Sequence, residues 1–234
     1  MSTTPLTDAI NALTRYANET TGASDTTLSD AVGTLVAGYG GGGSSDPLQF
    51  SAGNIKALIF NQAIVTTDYT DNQDNLYAMK LKSGTAVNYE NFFGESESGT
   101  SGKRTGFQRE ASRTDAVAVL IRSTGATTYK MLAGMTQDVM VVIGRQFDLS
   151  ETAPNTTLPL LIGGGYYHGA QESQKSNMTF YGLIIINNRN EYVARFMPWL
   201  EGTTPCVKDL VSGSLYYATV GTLGYIDNNG TVHN

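Results

Sequence analysis

Few side chains in this chain stand at the spacings that catalysis requires. Hydrolysis of a glycosidic bond needs two carboxyl groups on one face, about 5–5.5 Å apart when configuration is retained. The nearest arrangement is Glu95-Ser96-Glu97, inside the run GESESGTSG. Its Gly and Ser predict a solvated loop, without the burial that raises the pKa of a general acid. There are two histidines. His168 follows Gly163-Gly164-Gly165-Tyr166-Tyr167 and has no acidic residue or Cys at triad or metal spacing. His233 lies next to the C-terminus and is expected to fray. Cys206, the single cysteine, has no His near it in sequence and is expected to be a small buried apolar residue. The expectation is a protein without enzymatic activity. A glycan hydrolase is the alternative that the missing carboxylate pair weakens.

Binding chemistry is better represented. Asp68, Asp71 and Asp74, with Asn72 and Asn75, make the oxygen-rich stretch DYTDNQDN. Such a loop suits Ca²⁺, but the central Gly and terminal Glu of an EF-hand are missing, and a solvated turn is the plainer reading. No cofactor is expected beyond that Ca²⁺ candidate. Tyr166, Tyr167 and Trp199 are the aromatics that could stack on the C–H faces of sugars, with Asn or Asp orienting hydroxyls. Packing in the core or at its rim is the competing role for all three.

Something must hold these groups in place, and composition says what. Gly numbers 26 of 234 residues, charged residues are 15%, and Tyr outnumbers Phe 13 to 8. Gly and Asn supply the φ > 0 positions that hairpins need, so a β fold with many turns is indicated rather than a helical bundle. The length suffices for one large β domain and a small appendage. A net charge of −6 repels phosphate backbones, so nucleic acid is not an expected partner. The one basic pair, Lys103-Arg104, falls in a Gly/Ser stretch read as loop. No apolar run reaches membrane-spanning length, so no membrane insertion is expected. The N-terminus shows neither a basic nor an apolar leader region. One cysteine allows no intrachain disulfide, which suits assembly in a reducing cytoplasm.

Residues 1–38 read as helical. Thr4-Pro5 suits a helix start, and Leu6, Ile10, Leu13 and Ala17 recur at helical spacing until Thr20-Thr21-Gly22. Leu28, Ala31, Val32, Leu35 and Val36 form a second stripe. Two helices this short bury little against each other. Their stripes, above all Leu6, Ile10, Leu13, Leu28, Val32 and Leu35, are therefore read as an attachment or oligomerisation surface. The alternative is a hairpin packed on its own domain. Residues 39–45 are a Gly/Ser linker.

From residue 46 to 234 the pattern is β. Stretches 55–67, 76–82, 115–121, 138–147, 158–162 and 178–186 alternate or run apolar. Asn187-Asn188 and Asp227-Asn228-Asn229-Gly230 are hairpin turns. About twelve short strands without a crossover helix predict two antiparallel sheets packed as a sandwich or barrel.

Two stretches resemble known families. Leu6 to Tyr39, LTDAINALTRYANETTGASDTTLSDAVGTLVAGY, resembles the N-terminal module of tail and baseplate-associated proteins of Firmicutes phages. The segment MTFYGLIIINNRNEYVARFMPWLEGTTPCVKDLVSGSLYYATVGTLGY resembles the end of laminin-G-like jelly-roll domains in phage and gut-bacterial surface proteins. Tyr181, Arg195, Phe196, Pro198, Asp209, Gly213, Tyr216 and Gly221 carry that likeness, and NFFGESESGT resembles the central Phe-Gly strand of the same domains. The resemblance implies a two-sheet antiparallel jelly-roll of the concanavalin-like type behind a short helical segment. It implies a tail, fibre or head-decoration protein of a bacteriophage virion, assembled in the bacterial cytoplasm. Expected partners are other virion proteins, copies of itself, with a trimer preferred, and a bacterial surface glycan. A capsid or tail module with no ligand is the other reading, because this fold type serves lectins, hydrolases and structural modules alike.

Overall fold

The stretch LYAMKLKS shows why this chain makes sheets. Tyr77, Met79 and Leu81 are fully buried; at the alternate positions Lys80 and Lys82 keep partial exposure, while the small Ala78 is buried too. That is the period of two by which a strand turns one side to a core. The computed structural model describes residues 49–70, 75–85, 90–96, 103–109, 117–124, 129–134, 140–146, 158–165, 175–187 and 191–234. The helices expected in residues 1–38 and the linker at 39–45 lie outside them. The chain divides into two compact units, Met1–Ser51 and Ala52–Asn234.

The described residues hold sixteen strands. They are β1 (Ala57–Asn61), β2 (Ile64–Thr66), β3 (Leu76–Ser83), β4 (Asn91–Ser96), β5 (Lys103–Arg109), β6 (Val117–Thr124), β7 (Tyr129–Gly134) and β8 (Met140–Gln146), then β9 (Leu161–Ile162), β10 (Asn177–Ile186), β11 (Tyr192–Glu201), β12 (Thr204–Asp209), β13 (Leu215–Tyr216), β14 (Ala218–Val220), β15 (Leu223–Ile226) and β16 (Val232–His233). The fold is mainly β, and its strand pairs are antiparallel.

Nine strands form one sheet around β10. β3 pairs with β10 from Met178 to Ile186, and β8 pairs with β3. The other edge of β10 is shared. β1 takes its first half and β11 its second. β15 and β16 continue from β1, and β12 and β13 from β11. The second sheet runs β14-β2-β9-β4-β5-β6-β7. Both sheets contribute to one buried cluster. Phe92, Phe93, Phe107 and Ile162 come from the second sheet, and Leu58, Tyr77, Phe180, Leu183 and Phe196 from the first. Tyr77 stacks on Phe93 across the sheets at 5.5 Å, and Phe93 meets Phe107 edge-on at 4.5 Å. Offset and edge contacts of this kind add to what burial alone contributes.

The structure has more and shorter strands than the sequence pattern suggests. The stretch 55–67 is broken at Gln62, which takes φ 57°, so β1 and β2 enter different sheets. β7 went unread because its YKMLAG lacks a clean alternation. Glu95 and Ser96 belong to β4, opposite Thr105 and Arg104, not to a loop. Lys103 and Arg104 likewise open β5. His233 is not frayed: it pairs with Tyr225 in β16.

Candidate functional site

Of the three aromatics singled out in the sequence, Trp199 is described; Tyr166 and Tyr167 lie outside the described residues. Trp199 sits near the end of β11, opposite Cys206 of β12. Phe196 and Val207 of this pair of strands face the core, so Trp199, Met197, Lys208 and Cys206 occupy the opposite side of the sheet. The indole is half-buried, and the Lys208 ammonium lies over its ring, Nζ 4.1 Å from the centroid. Further along β11 the Arg195 guanidinium lies 4.7 Å over the ring of Tyr192, which is 40% exposed. A register shift between Ile185 and Ile186 brings Tyr192 opposite Ile186, on the same side as Arg195.

Two devices hold this pair of strands. Asn54 supplies both partners that Leu200 needs beside Trp199: its Nδ2 donates to the Leu200 carbonyl at 3.0 Å, and its Oδ1 accepts from the Leu200 N–H at 2.8 Å. At the other end, the buried Asp209 carboxylate works as a hub. Oδ1 accepts from the backbone N–H of Arg195 (2.8 Å) and Val211 (3.0 Å), and Oδ2 from the N–H (3.1 Å) and hydroxyl (2.7 Å) of Ser212. Gly213, at φ +81°, closes the turn by donating to the Asp209 carbonyl. Asp209 and Gly213, which carry part of the jelly-roll resemblance, are thus the parts of one hairpin. Tyr216 follows in β13 and packs edge-on against Phe196 at 5.9 Å.

The oxygen-rich loop is described only at its ends. Asp68 is exposed and accepts a long hydrogen bond from the Tyr216 hydroxyl at 3.4 Å. Asn75, buried, donates to the Tyr69 hydroxyl at 2.7 Å, and that oxygen lies 3.1 Å from the Tyr77 hydroxyl. Asp71 and Asp74 lie outside the described residues. Among the described residues no three His, Cys, Asp or Glu side chains are grouped to hold a metal. Burial pushes the Cys206 thiol up from its ordinary pKa, which disfavours the thiolate a nucleophile needs. His168, Glu97 and the residues of the expected helical stripes, Leu6, Ile10, Leu13, Leu28, Val32 and Leu35, also lie outside the described residues.

A second polar group escaped the sequence reading. Glu90 and Arg109 are buried, with Arg109 Nε 3.2 Å from Glu90 Oε2. The approach runs off the N–H direction, so the attraction is Coulombic rather than a directed hydrogen bond. Glu90 Oε1 accepts from the Asn177 N–H at 2.8 Å, and its carbonyl from the Arg109 N–H at 2.8 Å. One carboxylate therefore ties β5 of the second sheet to β10 of the first. Beside it, Asn91 leaves no space at Gly165, where a Cβ would lie 2.8 Å from the Asn91 side chain. Nothing in the sequence marks Glu90 and Arg109 as partners, because nineteen positions separate them and only the β4–β5 pairing joins them.

No family model, no curated protein and no solved structure matches this chain.

Proposed function

We propose that the chain is a non-enzymatic bacteriophage virion protein whose β domain contacts bacterial surface glycans. In this reading residues 1–38 attach the protein to other virion proteins and associate it with its own copies, as a trimer, and residues 39–45 are the tether. The two sheets take the laminin-G-like jelly-roll arrangement that the resemblance implies, and assembly occurs in the host cytoplasm. The contact needs no cofactor. The observation that carries the reading is Trp199, a half-buried indole on the side of β11 away from the core, with its strand fixed by Asn54 and Asp209. A flat aromatic held rigidly beside polar groups is what stacking on a sugar requires.

The test is binding of the full-length protein to immobilised wall and capsular polysaccharides, followed by interferometry. Retention expected of the native protein should fall about tenfold in Trp199→Ala, since loss of a stacking contact is of order 1 kcal/mol or more. No binding to any polysaccharide, or equal binding by Trp199→Ala, overturns the glycan reading and leaves the structural module.

A further inference from the structure

We infer that two copies of the chain join through β8, whose free edge pairs antiparallel with the same edge of a second copy about a two-fold axis at Ile143. Among the described residues five strands have a partner on one side only: β13, β16 and β8 in the nine-stranded sheet, β14 and β7 in the other. An open edge offers unpaired N–H and C=O groups to any other strand, and proteins blunt it by shortness, bulges, charge or proline. Four of the five are blunted. β13 and β16 have two residues each. β14 has three, with a register shift between Ala218 and Val220. β7 carries Lys130 and meets β6 with a shift between Ala118 and Val119. β8, MVVIGRQ, has seven residues, no proline and one charge, Arg145 near its end. Its register with β3 is unbroken, from Met140 opposite Lys82 to Gln146 opposite Leu76. β7 comes near β8 from the other sheet but makes no ladder with it.

The strand's own sequence makes a second copy the fitting occupant. Alternate residues of β8 turn their N–H and C=O away from β3, as an antiparallel ladder requires. Pairing centred on Ile143 sets that residue opposite its counterpart, Val142 opposite Gly144 and Val141 opposite Arg145 of the other copy. The two arginines then stand about 14 Å apart along the ladder, at roughly 3.4 Å per residue, and each faces an apolar position. Centring the pair on Arg145 would oppose like charges, which destabilises a cross-strand pair. A two-fold contact of this kind is closed: each edge satisfies the other and leaves none for a third copy. It is separate from the association proposed for residues 1–38, and its test reads it whether or not that association occurs.

The experiment places single cysteines in the full-length protein and follows disulfide formation between copies with diamide as oxidant, on non-reducing gels and by mass spectrometry of the linked peptide. The native Cys206 is buried and serves as the background. Facing residues of an antiparallel pair have Cα atoms about 4.5–5.5 Å apart, within reach of a disulfide. Ile143→Cys should therefore link to itself at least about tenfold faster than Val211→Cys, because thiols held side by side meet at high effective concentration. Val211 is the collision control, 48% exposed on the Asp209 turn. Met140→Cys, at the end of the strand, should link no faster than that control. Val142→Glu added to Ile143→Cys should slow the link about fivefold or more, since it brings two like charges close across the axis. Within its own sheet position 142 lies opposite Lys80, so the new carboxylate suits the β3 pairing, and an unchanged melting curve shows that the variant folds. Ile143→Cys linking at the Val211→Cys rate overturns the inference. Equal rates at positions 143 and 140 show association in no fixed register and also overturn it, as does a folded Val142→Glu variant that links as fast as its parent.

Discussion

Asp227 shows how one side chain near the end of the chain organises a hairpin. Its Oδ1 accepts from the N–H groups of Asn229 at 2.9 Å and Thr231 at 2.8 Å, and Oδ2 lies 3.3 Å from His233 Nε2. The His233 ring in turn stacks on Tyr225 at 4.3 Å. The Thr231 N–H, first among these, holds the Asp227 carboxyl below its ordinary value of 3.8, against a smaller opposing effect of desolvation. A lowered folded-state pKa means that the charged form is favoured by folding. The contribution is therefore present above the ordinary carboxylate value and is lost as pH falls through the lowered one. Asp227→Asn should melt below the native protein at pH 6, and the gap should close below about pH 4. Thermal melts of the two proteins between pH 2 and 7 check this; a gap that widens in acid contradicts it.

At the scale of elements, β10 decides how the two sheets are assembled. It accepts three strands, β3 on one edge and β1 and β11 on the other, and its register shifts between Phe180 and Gly182. The shift keeps both Phe180 and Leu183 in the core. At its first residue Asn177 donates to Glu90, which joins it to Arg109 and so to the opposite sheet. Removing one member of a buried ion pair leaves an uncompensated charge and costs about 3–5 kcal/mol, whereas replacing both by apolar groups of similar size is often neutral. Glu90→Gln is thus expected to destabilise the domain by about that amount, and Glu90→Leu combined with Arg109→Met by clearly less. Urea unfolding of the three proteins measures it. Equal losses in the single and double variants would show that hydrogen bonding to Asn177, not charge, is what the strut supplies.

For the whole molecule, the question is whether the sheets depend on the N-terminal residues. Ala52–Asn234 forms a compact unit with its own core. Residues 46–234 expressed alone should therefore fold and melt within a few degrees of the full chain. If residues 1–38 associate the protein with its own copies as proposed, Ile10→Asp and Leu13→Asp in the full chain should weaken self-association without shifting the melting of the β domain, because charge introduced at positions expected to be apolar opposes docking. Light scattering after size exclusion reads the first effect and calorimetry the second. An insoluble 46–234 fragment, or a full chain that is monomeric at high concentration, defeats this division of labour.

The sequence by itself determined the class of fold and much of its local grammar. Alternation in LYAMKLKS and the turns at Asn187 and Asp227 fixed strands and hairpins, because both depend on neighbours within a few residues. The hairpin of Asp209, Gly213 and Tyr216 is local in the same way: the hub, the positive-φ turn and the packing ring lie within eight positions. Tertiary structure alone decided the rest. Glu90 meets Arg109, and Asn54 meets Leu200, across separations that no periodicity encodes. Lys208 lies over Trp199 because β11 and β12 pair in one register and not the next. A slip of one residue would send every side chain of a strand to the other face. Which residues share a surface is therefore set by long-range pairing, and so is any site built on that surface.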